Sequence, residues 1–331
     1  MSYKKKVFIA GHNGMVGSAI LRKLKNKKNI KILIAKKQQL NLLNFKEVLN
    51  FFKKSKIDEI YLCAAKVGGI LENKNKQADF IYENSLIALN VIHAAFQCRI
   101  KKLLNFGSSC IFPKSKKKLF ENDLLTGKLE PTNEGYAIAK ILAIKLCEKY
   151  NLQYGKVYGL DYRSVMPCNL FGPNDNYDLN SSHVIPALIR KFIEARIYDR
   201  DKVTIWGTGS PKREFLHVDD LAEASIKIMG LNKNKYLKLI KGSESFINVG
   251  YGKDYTIKEV AFLIAKATGF NKIIFFDRKY PVGSPRKIMD ISKIKKINWK
   301  PKFDFETTLT ELTKNILIKS IINKKFTANK I

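Results

Sequence analysis

Val7-Phe-Ile-Ala-Gly-His-Asn-Gly-Met-Val-Gly17 is the stretch whose reading decides the fold. Its apolar start, residues 7–10, reads as a short buried strand. Gly11, Gly14 and Gly17 then give G-x-x-G-x-x-G, and Val16, Ala19, Ile20 and Leu24 follow at helical spacing. A strand, a glycine turn and a helix in that order let backbone approach a pyrophosphate, whose charge meets the helix N-terminus. A lone glycine motif is weak evidence. This one opens an alternating pattern, and it predicts a dinucleotide held by Gly11, His12, Asn13, Gly14, Met15, Val16 and Gly17.

Working outward, residues 30–35 and 59–65 read as the next strands, 78–96 as a long helix, 103–106 as a strand, 136–150 as a helix and 162–166 as a strand. Strands alternating with helices imply an α/β fold with a doubly wound parallel sheet of the Rossmann type. Beyond residue 166 the rhythm loosens and turn residues accumulate. The expected organisation is a dinucleotide domain over 1–166 with 212–240 returning to it, a smaller substrate-binding lobe from 167–211 and 241–320, and a basic tail over 321–331. Where the second strand ends, an NAD enzyme would place an acid for the ribose 2′-hydroxyl. Here stand Lys36 and Lys37, which suit a 2′-phosphate, so NADP(H) is the expected cofactor. The plain alternative is ordinary surface charge in a lysine-rich chain.

The chemistry-bearing stretches are Gly107-Ser-Ser-Cys-Ile-Phe-Pro113 and Tyr136-Ala-Ile-Ala-Lys140. Gly107 ends an apolar strand, so Ser108 and Cys110 should sit at the strand's carboxyl end, where open α/β sheets bind ligands. Tyr136 and Lys140 share one helical face at i, i+4. An ammonium beside a phenol favours the tyrosinate and can lower its pKa, which makes a proton donor and acceptor for a carbonyl or alcohol. Tyr-x-x-x-Lys also occurs in helices that do no chemistry, so it counts only alongside a nicotinamide site.

Composition narrows the class. The chain has 331 residues, 45% hydrophobic and 11% aromatic, which fits a globular protein with a large core. No apolar run is long enough to span a membrane, and Met1-Ser-Tyr-Lys-Lys-Lys leads straight into a strand, so a cytoplasmic protein with no membrane partner is expected. Five cysteines without a C-x-x-C pair, and four scattered histidines, argue against a disulfide framework or a metal site. The net charge of +32 invites a nucleic-acid reading, but the basic residues are mostly lysine and spread along the whole chain. We therefore expect no nucleic-acid partner, with the charge assisting capture of an anionic nucleotide. The run Lys114, Lys116, Lys117 and Lys118 reads as a solvated loop.

Further stretches extend the pattern: Ala64-Ala-Lys-Val-Gly-Gly69, Ala78-Asp-Phe-Ile-Tyr82, Leu129-Glu-Pro-Thr-Asn-Glu134, Ser182-His-Val-Ile-Pro-Ala-Leu188, Arg213-Glu-Phe-Leu-His-Val-Asp-Asp220 and Pro285-Arg-Lys287. With the glycine turn and the Ser-Ser-Cys stretch, they make the chain resemble the extended short-chain dehydrogenase/reductases over residues 5–315. Within that family it is similar to the GDP-4-keto-6-deoxy-D-mannose 3,5-epimerase/4-reductases. The resemblance implies epimerisation at C3 and C5 of a GDP-bound 4-keto sugar, followed by NADPH-dependent reduction at C4 to give GDP-L-fucose. It implies Cys110 as the base and His183 as the acid of the epimerisation, Tyr136 as proton donor in the reduction, Ser108 on the same oxygen, and Lys140 on the nicotinamide ribose. It places Asn41, Leu42, Phe106, Gly107, Ser108, Ser109, Pro167, Cys168, Asn169, Leu170 and His183 along the cofactor, and Lys191, Trp206, Arg213 and Lys287 on the GDP-sugar. It also implies a homodimer.

Each role has a plainer alternative: Cys110 as a buried thiol, His183 as a capping histidine, Ser108 as a turn hydroxyl and Trp206 as core. His217-Val-Asp-Asp220 reads as structural, a helix start with an acid cap. The chain departs from the family at Asn13 and Ala35, where arginine is frequent, and at Phe112, where tyrosine is usual. Gly155-Lys-Val-Tyr-Gly159 looks like an enlarged surface loop. Rival readings are a GDP-mannose 3,5-epimerase, a GDP-deoxyheptose reductase and, in another class, a catalytically silent NADP-sensing regulator.

Overall fold

The computed structural model describes residues 3–115, 117–240, 245–280 and 283–327. Lys5–Ala10 (β1) is buried from Val7 onward, because its alternate side chains serve two cores: Val7 and Ile9 face one, Phe8 and Ala10 the other. A strand buried on both faces needs helices on both sides. The chain supplies them in alternation: Met15–Leu24 (α1), Ile30–Leu33 (β2), Phe45–Ser55 (α2), Glu59–Leu62 (β3), Ile70–Asn75 (α3), Gln77–Gln97 (α4), Lys102–Phe106 (β4), Glu134–Tyr154 (α5) and Asp161–Pro167 (β5). Asn44 starts α2 by accepting from the Glu47 amide, and Lys56 ends it in the left-handed conformation.

After β5 come Asn169–Phe171 (β6), Val184–Ile197 (α6), Lys202–Trp206 (β7), Lys212–His217 (β8), Val218–Gly230 (α7), Lys233–Leu239 (α8), Ile247–Val249 (β9), Asp254–Thr256 (β10), Ile257–Thr268 (α9), Ile273–Asp277 (β11), Arg286–Lys287 (β12), Ser292–Lys295 (α10) and Phe305–Ile322 (α11). The main sheet is wholly parallel in the order β2-β1-β3-β4-β5-β9. Helices α1 and α7 cover one face with Ala19, Ile20, Leu24, Leu221 and Ile228, while α2, α4 and α5 cover the other with Val48, Phe52, Val91, Ile92, Ala143 and Cys147. This is the expected doubly wound sheet. The lobe has its own core, in which Phe171, Phe192, Phe215 and Phe305 join α6, α9 and α11.

The chain divides itself differently from the expected boundaries at three places. Ile247–Val249, expected in the lobe, pairs with β5 as the sixth strand of the main sheet. Lys212–His217, expected with the sheet, pairs instead with β6, β10 and β12, although α7 behind it does return to α1. The tail was expected from residue 321, but α11 continues to Ile322, and residues 328–331 of that tail lie outside the described residues.

All five cysteines are free thiols. His217, not an acid, caps α7 by accepting from the Asp219 amide, and Asp220 instead accepts from the amides of Lys302 and Phe303. In the lysine run, Lys114 pairs with Glu130 at 3.2 Å and Lys118 with Asp290 at 3.9 Å; Lys116 lies outside the described residues. Among the described residues no helix is long and apolar enough to cross a membrane, and no cluster of His, Cys, Asp and Glu could hold a metal ion.

Candidate active site

The turns that follow β1, β3, β4 and β5 all open into one cavity of about 950 Å³, closed on its far side by the lobe. Every residue singled out from the sequence for the cofactor, the chemistry or the GDP-sugar lies in its wall. At the β1 end Gly11 adopts φ +84°, and a Cβ there would meet Ala64 Cα at 2.8 Å. A Cβ on Gly17 would lie 2.2 Å from the Gly11 carbonyl oxygen, so helix and strand pack as closely as glycine alone permits. Gly14 starts α1 with no side-chain cap, which leaves the first amides of the helix for an anion. His12 Nδ1 is buried without a hydrogen-bond partner among the described residues, and burial, helped by Lys36, pulls the imidazole below its usual pKa. Exposed Lys36 and Lys37 line the wall where β2 ends, with Asn41 and Leu42 beyond them. A tight glycine turn, an uncapped helix start and an unpartnered imidazole nitrogen fit a dinucleotide.

At the centre, Gly107 leaves β4 by donating to the Val165 carbonyl, and Ser108 begins a single 3-10 turn over Ser109–Ile111. Ser108 Oγ accepts from the Cys110 amide at 3.4 Å, which holds the hydroxyl and the thiol on one turn. Helix α5 brings Tyr136 and Lys140 alongside. The expectation that Lys140 draws Tyr136 towards tyrosinate is not met. The ammonium donates to the Phe106 carbonyl at 2.8 Å and lies 5.7 Å from the Tyr136 ring centre. Burial therefore governs both groups: Tyr136 is pushed up, first by burial and then by Cys110, against a hydrogen bond with Ser108, while Lys140 is pushed down to about 8. Burial also raises the Cys110 thiol, opposed first by the charge of Lys287, then by Ser108 and Lys140.

His183 starts α6 and lines the same cavity, open to its space yet ringed by protein, and that desolvation lowers its pKa. The resting groups are thus a neutral phenol, a neutral thiol and a neutral imidazole around one space. Such a set can give and take protons on both sides of a bound carbonyl.

The lobe contributes cations. Strands β8 and β12 run parallel with Arg213 opposite Lys287, and the Arg213 charge bears on the Lys287 ammonium. Desolvation brings Arg213 down to about 10 and lowers Lys287 and Lys191 as well. Buried Glu214 accepts from the amides of Gly252 and Met289 and fixes β8 behind them. Lys191 donates to the Thr204 carbonyl and lies 5.0 Å over Trp206, whose ring stacks on Tyr280 at 4.6 Å and 8°. Sequence reasoning overlooked Glu130, Asn73, Asp175 and Ser182 in the same wall. Glu130 lies within Leu129-Glu-Pro-Thr-Asn-Glu134 and Ser182 heads Ser182-His-Val-Ile-Pro-Ala-Leu188, so those two motifs could have flagged them; Asn73 and Asp175 sit in stretches with no chemical signature.

Against known proteins, the model of the NAD dependent epimerase/dehydratase family matches residues 7–238. The chain belongs to that family. Among relatives in it, the chain is similar to GDP-L-fucose synthase of Escherichia coli strain K12, at 50% identity over 92% of this chain and 94% of that protein. Two solved structures from Campylobacter jejuni superimpose closely. One is a GDP-6-OMe-4-keto-L-xylo-heptose reductase, with TM-score 0.87 and 32% identity over 96% of this chain and 99% of that one. The other is a GDP-mannoheptose C4 reductase with NADP bound, with TM-score 0.82 and 33% identity over the same shares. The glycine turn and Ser108 lie at the carboxyl ends of β1 and β4, where open α/β sheets bind ligands.

Proposed function

We propose that this protein is an NADP(H)-dependent GDP-sugar epimerase/reductase that converts GDP-4-keto-6-deoxy-D-mannose to GDP-L-fucose. One observation carries this reading: Cys110, Tyr136 and His183 border the same cavity as the glycine turn, so proton exchange and reduction share one bound ketone. The half-identical GDP-L-fucose synthase of Escherichia coli supports the choice of sugar, and the NADP-bound heptose reductase supports the cofactor.

The C4 carbonyl makes the protons on C3 and C5 acidic. Cys110, once ionised, removes them, and the nearby Lys287 charge favours that thiolate. His183, which borders the same cavity, returns protons to C3 and C5. Bound along the glycine turn, the reduced cofactor supplies hydride for C4. Tyr136, held as a neutral phenol, gives its proton to the oxygen at C4, and Ser108 donates to the same oxygen. Lys140, anchored on Phe106, reaches the cofactor ribose. Arg213, Lys287 and Lys191 neutralise the diphosphate, Arg213 by its planar fork. Exposed Tyr82 and Leu89 on α4 and Ile138 on α5 offer an apolar face for a homodimer.

The test is to incubate purified protein with NADPH and GDP-4-keto-6-deoxy-D-mannose and identify the product. One NADPH consumed per GDP-L-fucose formed supports the reading. Epimerised product without net NADPH consumption would favour a 3,5-epimerase. Turnover confined to a 4-keto-heptose would favour the second reading, a GDP-heptose reductase, which the two Campylobacter jejuni structures recommend.

A further inference from the structure

Asn73 on α3 donates through Nδ2 to two carbonyls, of Gly68 at 2.6 Å and of Gly69 at 3.0 Å. Two acceptors on one nitrogen settle which way the amide points, so Oδ1 is the end left over. The residue is only 7% exposed and borders the cavity, and its Oδ1 is buried with no hydrogen-bond partner among the described residues. Ser182 Oγ is in the same condition on the same wall. The two share one corner, because the Gly69 amide donates to the Ser181 carbonyl at 2.7 Å and a Cβ on Gly69 would lie 2.3 Å from the Ser182 carbonyl oxygen. His183 is the next residue. A buried acceptor left unpaired costs about 1–3 kcal/mol. An acceptor and a hydroxyl together complement a ligand hydroxyl, which donates to the first and accepts from the second.

We propose that Asn73 Oδ1 and Ser182 Oγ hold the 2-hydroxyl of the substrate hexose and thereby determine which sugars are accepted. The assignment rests on the function proposed above. In that sugar C1 carries the diphosphate, C6 bears no oxygen, and the oxygen at C4 belongs to Tyr136 and Ser108. The oxygen at C3 moves when C3 inverts. Only the oxygen at C2 keeps its place through epimerisation and reduction, so only it can be held by a fixed amide throughout. Asn73 and Ser182 touch substrate without exchanging protons with its carbon skeleton; they act on specificity.

The experiment compares kcat/KM for GDP-4-keto-6-deoxy-D-mannose and its 2-deoxy analogue in the full chain, in Asn73→Ala and in Ser182→Ala. The unaltered protein should prefer the hydroxylated sugar by tenfold or more, and each variant should lose most of that preference through a fall of about tenfold on the hydroxylated sugar. Asn73→Ala also frees two backbone carbonyls and can loosen the loop, whereas Ser182→Ala removes an oxygen that bonds to nothing in the described structure. Equal losses on both sugars in Ser182→Ala, or no preference in the unaltered protein, would overturn the proposal. No turnover of the hydroxylated sugar by the unaltered protein would instead defeat the function on which it rests.

Discussion

Lys140 gives its hydrogen bond to the carbonyl of Phe106, at 2.8 Å, rather than to the phenol of Tyr136 one helical turn away. The last residue of β4 thus anchors α5. Burial holds this lysine at about 8, below the ordinary 10.5, so the folded state disfavours its charge. The resulting cost is full below pH 8 and fades as pH climbs from about 8 to 10.5, where the unfolded chain also loses the proton. In cofactor-free protein, Lys140→Met should therefore gain thermal stability relative to the parent at pH 7, with the gain shrinking by pH 10. Losing the bond to Phe106 offsets part of the gain, so the pH trend is the readout. A difference that stays flat between pH 7 and 10 would contradict a desolvated lysine. The same variant should lose most of its reductase activity.

Tyr136 is pushed up by burial and by Cys110, which keeps its proton in place, as the acid role proposed for it requires. Tyr136→Phe keeps the ring that packs edge-on against Phe80 and removes only the proton. NADPH oxidation should fall by about 10²–10⁴, while deuterium from solvent continues to enter C3 and C5. Undiminished NADPH oxidation would take Tyr136 out of the reduction.

Much of this was legible in the sequence, for a physical reason. A parallel sheet needs both faces buried, so its strands tend to be short apolar runs followed by a helical period, and β1 and β4 announce themselves in this way. Strand β9 does not: three residues, Ile247–Val249, joined to the sheet after a long excursion through the lobe, carry too little pattern. The site shows the same division. Motif residues such as Ser108, Cys110, Tyr136 and Lys140 were readable because local backbone brings them together. Asn73 and Ser182 come to the same corner only because Gly69, which Asn73 holds, packs on the loop before α6, and spacing says nothing about such an approach. Orientation was likewise hidden, since i, i+4 spacing puts Lys140 beside Tyr136 but does not show that a β4 carbonyl claims its proton.

Lys287 was read from sequence as a diphosphate contact, yet it is also the foremost group opposing the rise in the Cys110 pKa. A thiol raised by burial acts as a base only once ionised, so exchange at C3 and C5 should keep speeding up as pH rises to and beyond the ordinary thiol range. Replacing Lys287 with glutamine removes the charge, lifts the thiol further and should move the exchange profile to higher pH, while Lys287→Arg should restore it. Cys110→Ala should abolish exchange but retain some C4 reduction. A profile that ignores Lys287→Gln, measured by deuterium uptake at saturating substrate, would show that the ammonium serves the diphosphate alone.

The glycine turn offers a test that separates packing from ligand contact. Gly17 admits no side chain, because its Cβ would overlap the Gly11 carbonyl at 2.2 Å, so Gly17→Ala must push α1 away from β1 and lower stability. Gly14 is different. Its φ of −76° is ordinary and a Cβ would find its nearest neighbour, the Gly11 carbonyl oxygen, at 3.6 Å, so Gly14→Ala should fold with an unchanged melting temperature. That methyl would stand where α1 opens its first amides, holding a pyrophosphate off the helix. NADPH affinity, measured by calorimetry or by quenching of protein fluorescence, should drop by about tenfold or more, the size expected for the loss of one charge-assisted hydrogen bond. If Gly14→Ala binds NADPH as tightly as the parent, the dinucleotide does not cross the start of α1 and the proposed cofactor site is wrong.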